Sequence, residues 1–182
     1  MQRTGLNRRR VIITNIIAIL LIVLLLFIDQ LSKIIVRVTD LDATVIKNFF
    51  YLTHVENTGA AWGFLAGKSW SQLFFKLLTG VSLIIFIGIF VYACIKDYRF
   101  LRFATVMIIA GTLGNFIDRL LFSSVTDFLE LVLFNVSPFG VFNFADVFLC
   151  VGIFATIIHF LFIDENAIFK SNGNKENNSR KR

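Results

Sequence analysis

Four apolar segments, separated by polar stretches, set the plan of this chain. Val11–Ile28, Leu77–Ile95, Phe103–Ile117 and Val147–Ile163 contain no formally charged residue. A helix needs about 20 apolar residues to cross the hydrocarbon core of a bilayer. Extended into their flanks, the segments predict spans over about 11–32, 71–95, 101–121 and 141–163. The first begins like a secretory signal, with a basic leader before an apolar run. It is longer than such runs and lacks an Ala-x-Ala exit, so it reads as an uncleaved anchor.

Between the first two spans the pattern changes. Val38–Ser69 is not apolar enough to cross, and Thr44–Val55 is rich in β-branched and aromatic residues, which predicts one or two short strands. Asn57-Thr58-Gly59-Ala60-Ala61-Trp62-Gly63 reads as a turn with a surface of small residues. Trp62 and Trp70 suit a membrane interface. The expected fold is an all-α polytopic membrane protein, with four transmembrane helices and a small extracytoplasmic β platform (about 38–69) between helices 1 and 2. Residues 1–168 make one membrane domain, and 169–182 form a basic polar tail on the cytoplasmic side.

Composition supports this plan. The chain is 57% hydrophobic and 16% charged, with a mean hydropathy of +0.77, values of a membrane protein rather than a soluble one. A net charge of +6 raises the question of nucleic acid. The distribution answers it, because the basic residues flank the apolar runs. With the N-terminus inside, the inner segments hold twelve Lys and Arg and the outer segments six, although the first outer loop is far longer. Both termini are therefore expected in the cytoplasm, with no nucleic-acid partner. Cys94 and Cys150 lie in apolar runs and read as buried, reduced residues.

That orientation gathers the unusual polar residues at one boundary. Asp29 and Lys33 end span one, Asp118 and Arg119 end span three, Asp127 lies in the short outer connection, and Asp146 opens span four. A carboxylate at bilayer depth costs roughly 2.5–3.5 kcal/mol on insertion scales, so an acid there is a functional candidate. Asp29 and Lys33 are spaced i,i+4 and read as a structural ion pair. Ser32 and Lys33 point to different helix faces, which argues against a nucleophile dyad. Gly111 and Gly114 allow close helix packing, and Asn115, Asp118 and Arg119 share a face. There Asp118 reads as part of a polar clamp, neutralised by Arg119.

Asp127 and Asp146 are the pair of interest. Asn143 and Asp146 have the spacing of a capping box, and the helix N-terminus favours an ionised Asp146. Asp127 has no such partner in sequence and is expected to be the protonated member. Two adjacent carboxyls cannot both ionise, so the pair can act as acid and base on one water. No nucleotide loop, zinc pattern or flavin fingerprint occurs, and neither metal nor cofactor is expected.

The set Asp29-Gln-Leu-Ser-Lys33, Asn57-Thr-Gly-Ala-Ala-Trp-Gly63, Gly114-Asn-Phe-Ile-Asp-Arg119, Val125-Thr-Asp-Phe128 and Phe142-Asn-Phe-Ala-Asp146 resembles bacterial lipoprotein signal peptidase, the signal peptidase II family, in order and spacing. The resemblance covers nearly the whole chain. It implies an aspartic endopeptidase of the bacterial cytoplasmic membrane, with its active site at the outer leaflet. Such an enzyme removes signal peptides from diacylglyceryl-cysteine prolipoproteins on the amino side of the lipid-modified cysteine. By position, Asp127 and Asp146 match the catalytic pair, and Asn57, Gly59, Asn115, Arg119 and Asn143 match substrate-binding or supporting residues. Asp29, Lys33 and Asp118 remain structural. The expected partners are lipid-modified prolipoproteins and membrane lipid, with the protein a monomer. The chain departs from the family pattern in three places: Ser123-Ser124 occupy the region of a usual glycine, Trp62 stands where Phe is common, and Phe128-Leu129-Glu130 lies where a second Asp is frequent.

Two other classes are open to such a chain. A proton-coupled carrier would use Asp118, Arg119, Asp127 and Asp146 as a relay, yet it should also place acids at mid-depth and in the inner half, where only His159 is available. A purely structural four-span scaffold would not need so many converging ionisable groups.

Overall fold

The computed structural model of the protein describes residues 2–59, 64–65, 67–68, 70–134 and 136–163. The small-residue surface around Trp62 and the tail from 169 lie outside the described residues. Among the described residues, four helices are long and apolar enough to cross a membrane. They are α1 (Gln2–Thr39), α2 (Ser71–Ile95), α3 (Arg99–Phe122) and α4 (Phe144–Ile158), the last continued by a π-helical turn, His159–Ile163.

The four helices are not equivalent. In its apolar window α3 is 67% buried, against 6% for α1 and α2, and α3 packs on all three other helices. Composition explains this central place. Ala104, Ala110, Gly111, Thr112 and Gly114 are small, and small residues let helix backbones approach closely in lipid. A β-carbon on Gly111 would run into the Ala145 carbonyl, and one on Gly114 into the Asp29 carboxylate. From the facing helix, a β-carbon on Gly152 would lie 2.7 Å from the Ala104 carbonyl oxygen. By contrast α1 presents Ile13, Ile17, Leu20, Leu24 and Phe27 outward, as a lipid-facing helix should.

The first helix outruns its expected end near residue 32. Arg8–Thr39 is 32 residues, about 48 Å at 1.5 Å per residue, against a hydrocarbon core of about 30 Å. Its last turns project beyond that thickness and carry Val36 into a small apolar core with Phe128 and Leu129.

The sheet corrects the sequence expectation. Strands β1 (Asp42–Ile46) and β2 (Phe50–Asn57) do lie between α1 and α2, but β3 (Val125–Leu131) and β4 (Val141–Phe142) come from the α3–α4 connection. All four form one antiparallel sheet in the order β1-β2-β3-β4. Half the platform was therefore hidden in what read as a short connection. The reason is physical: Val125 through Leu129 are all buried, so β3 lacks the alternation that marks a half-exposed strand. The β2–β3 pairing sets Val55 opposite Asp127 and Asn57 opposite Val125. Those four side chains share one face, with Asn57 diagonal to Asp127.

Candidate active site

Two clusters of acids occupy the sheet end of the bundle. The first is built on α1 and α3. Asp29, Lys33 and Arg37 follow one another at i,i+4 spacing, so one helical stripe delivers all three. Lys33 is fully buried and lies 2.9 Å from Asp29 and 3.5 Å from Asp118. Arg37 pairs with Asp118 at 3.0 Å. Asp118 also accepts from the Thr126 N–H at 3.0 Å, and Asp29 accepts from the Ala145 N–H at 2.9 Å. Gln30 bridges α1 to α3 by donating to the Gly114 carbonyl at 3.1 Å. The cluster thus ties α1, α3, β3 and the start of α4 together.

This arrangement overturns one expectation. Asp118 is neutralised by Lys33 and Arg37, not by Arg119. Sequence neighbours on a helix diverge by about 100°, so Arg119 turns the other way. Its guanidinium donates to the carbonyls of Asn115 and Gly59, both at 3.4 Å, and stands 5.5 Å from the centre of the Phe75 ring.

The second cluster contains Asp127 and Asp146. The capping box expected from the sequence is formed. The Asp146 N–H donates to Asn143 Oδ1 at 3.0 Å, and the Asn143 N–H donates to Asp146 Oδ2 at 3.1 Å. Asn115 Nδ2 donates to Asp146 Oδ1 at 2.8 Å. Asp127 takes one donor on each oxygen: Asn143 Nδ2 at 2.6 Å and Asn57 Nδ2 at 2.9 Å. Asn57 Oδ1 in turn accepts from the Gly59 N–H at 2.9 Å, which fixes the amide's orientation. Asn115 Oδ1 accepts from Lys33 at 2.9 Å, so one asparagine connects the two clusters.

Among the described residues no cation forms an ion pair with Asp127 or Asp146. Both carboxylates instead line a cavity of about 550 Å³, with Asn57, Asn115 and Arg119 also in its wall. The rest of the wall is apolar, including Leu131, Phe139, Val141, Phe142, Val147 and Val151. Burial, and next the nearby Asp146 carboxyl, push Asp127 up to about 7, against the downward pull of the Asn57 and Asn143 donors. Among the described residues no three His, Cys, Asp or Glu side chains converge in a way that would hold a metal ion.

Other residues emerge only in three dimensions. Glu56 on β2 accepts from Ser124 Oγ and, at 3.1 Å, from Thr126 Oγ1, and lies 3.7 Å from Arg37. It belts the strand that carries Asp127 to the end of α1. Repeating i,i+4 spacing could have pointed to Arg37 as an extension of the Asp29–Lys33 pair. Nothing local marks Glu56. Cys150, expected to be buried, is exposed and lines the cavity one turn below Asp146. Its helix face opens onto the cavity rather than onto another helix.

A carboxyl pair held by amides at the head of a bundle of membrane-length helices thus opens onto an apolar-walled cavity. The family model for signal peptidase (SPase) II matches residues 21–162. The chain is 39% identical over 136 residues to the lipoprotein signal peptidase of Bacillus subtilis (strain 168), covering 73% of this chain and 85% of that protein. It is 38% identical over 152 residues to that of Clostridioides difficile (strain 630), covering 82% and 97%. A solved structure described as a bacterial membrane enzyme at 2.3 Å resolution superposes with a TM-score of 0.69 at 37% identity, covering 85% of this chain and 93% of that one. The chain belongs to the signal peptidase II family.

Proposed function

We propose that this protein is a membrane aspartic endopeptidase that removes signal peptides from diacylglyceryl-cysteine prolipoproteins, cleaving on the amino side of the lipid-modified cysteine. The observation that carries this reading is that Asp127 and Asp146 share one cavity with amide donors and no ion-paired cation. Membership of the family and the lipoprotein signal peptidase relatives support it.

Asp146, ionised at a helix N-terminus, takes a proton from water as the water oxygen attacks the scissile carbonyl. Asp127, protonated, donates to the carbonyl oxygen. Collapse of the tetrahedral intermediate breaks the C–N bond: the proton held by Asp146 passes to the leaving amine, and a hydroxyl proton of the intermediate returns to Asp127 as the carbonyl re-forms. One water is consumed and the pair again holds one proton. Asn143 and Asn57 orient Asp127, while Asn115 orients Asp146. Arg119, bracketed by two carbonyls, supplies positive charge beside the peptide. The apolar wall gives the acyl chains and the signal peptide's apolar segment a place out of water.

The basic residues orient the chain with both termini in the cytoplasm and the carboxyl pair at the outer leaflet. All components of the site come from one chain, which is compatible with action as a monomer within membrane lipid.

The test is cleavage of a diacylglyceryl-modified prolipoprotein in vesicles by the parent protein, Asp127→Asn and Asp146→Asn, with chelator throughout. Cleavage by the parent alone, with the variants still folded, is expected. Cleavage by both variants would remove the dyad assignment. A parent inactive on several lipidated precursors would remove the peptidase reading.

A further inference from the structure

A second cleft lies at the opposite end of the bundle, between the start of α1 and the α2–α3 turn. It measures about 440 Å³ and is lined by Arg8, Arg10, Val11, Ile12, Asp97 and Arg99. Behind it stands Arg102, only 4% exposed. Arg102 donates to Thr14 Oγ1 on α1 at 2.7 Å and pairs with Asp97, but its Nε finds no partner. Asp97 also lies 3.9 Å from Arg99.

The charges do not balance. Among the described residues, Asp97 is the one carboxylate facing Arg8, Arg10, Arg99 and Arg102. Asp164 and Glu165 lie outside the described residues. A cleft with surplus guanidiniums suits an anion. The planar guanidinium fork fits phosphate oxygens. The cleft also has a second character, since Val11 and Ile12 begin the apolar run of α1 and line the same space. Its occupant should therefore carry a charged head and an apolar body. The basic leader of a signal peptide has the wrong sign.

We infer that this cleft holds the phosphate of an acidic phospholipid headgroup between Arg8, Arg10 and Arg99, with the acyl chains running along Val11 and Ile12. Basic pockets between membrane helices are suited to this ligand class. The site is separate from the carboxyl pair and does not depend on the peptidase reading.

Native mass spectrometry of the full-length protein, released from vesicles of phosphatidylglycerol or of phosphatidylcholine, tests it. Retention of phosphatidylglycerol and not phosphatidylcholine is expected. Arg10→Gln and Arg99→Gln should each weaken retention about fivefold. Arg10→Lys and Arg99→Lys keep the charge that orients the chain and should lie between. Lys96→Gln, outside the cleft, should bind as the parent does. Thermal melting of each variant checks folding. Equal retention of the two lipids, or unaltered phosphatidylglycerol binding in both Gln variants, would overturn the proposal. So would displacement of the lipid by millimolar inorganic phosphate, which would mark a site for the free anion.

Discussion

The two carboxylate clusters at the sheet end are both buried and share Asn115, yet they are satisfied differently. Asp29 and Asp118 are held by Lys33 and Arg37 through ion pairs of 2.9–3.5 Å. Asp127 and Asp146 receive only N–H donors from asparagines and backbone. The Asp118 pairs tie α1 to α3. Burial, and next the Asp146 carboxyl, push Asp127 up to about 7, while the amide donors that fix its geometry pull it down. The difference separates a cation-paired cluster from one open to a cavity more sharply than burial does.

The comparison breaks most directly at the amide-held pair. Replacing Asp127 or Asp146 by Asn should reduce turnover by about 10²–10⁴-fold with little loss of thermal stability. Cleavage of a lipidated precursor and melting in detergent measure the two effects. If the variants melt early instead, the pair belongs with the scaffold.

At the ion-paired cluster the pattern should reverse. Lys33→Met leaves Asp29 and Asp118 buried with one shared cation removed, and breaking such a pair by deleting one partner costs roughly 3–5 kcal/mol. The expected result is a large fall in melting temperature, visible without substrate. A Lys33→Met protein with parent stability and abolished turnover would place Lys33 in the chemistry.

A smaller effect sharpens the boundary. Asn57 donates to Asp127, and a donor favours the ionised form. With Asp127 acting as the acid, activity should fall as pH rises through about 7. Asn57→Ala removes the donor, so the alkaline limb of kcat/KM should move to higher pH, together with a modest loss of rate. A limb that stays in place or moves down would contradict the role given to Asn57.

Much of this arrangement was legible in the sequence because polar residues in apolar segments are conspicuous. Asp127, Asp146, Asn115, Arg119 and Asn143 could be singled out without coordinates; the structure brings the first four to one cavity and sets Asn143 behind it, donating to Asp127. The capping box was readable because it is local. What was not readable depended on distant pairing or on direction. Glu56 meets Ser124 and Thr126 across some 70 residues of chain. Asp118 and Arg119 are adjacent in sequence but face opposite clusters. Strand β3, buried on both faces, carried no period-2 signal, so half the sheet looked like a loop. Cys150 read as core because composition cannot tell a helix face on a cavity from one on a neighbour.

Further along this scale, Cys150→Ser should change turnover by less than about twofold. It lines the cavity without touching either carboxyl, and substitutions away from polar networks usually have small effects.

The central claim is that one carboxyl of the amide-held pair gains and loses a proton near neutral pH. Infrared difference spectroscopy between pH 5 and pH 9 reads this without substrate. A protonated-carboxyl band that titrates near pH 7 in the parent and is absent in Asp127→Asn is the predicted result. A parent with no such band, or a band that persists unchanged in Asp127→Asn, would contradict the account.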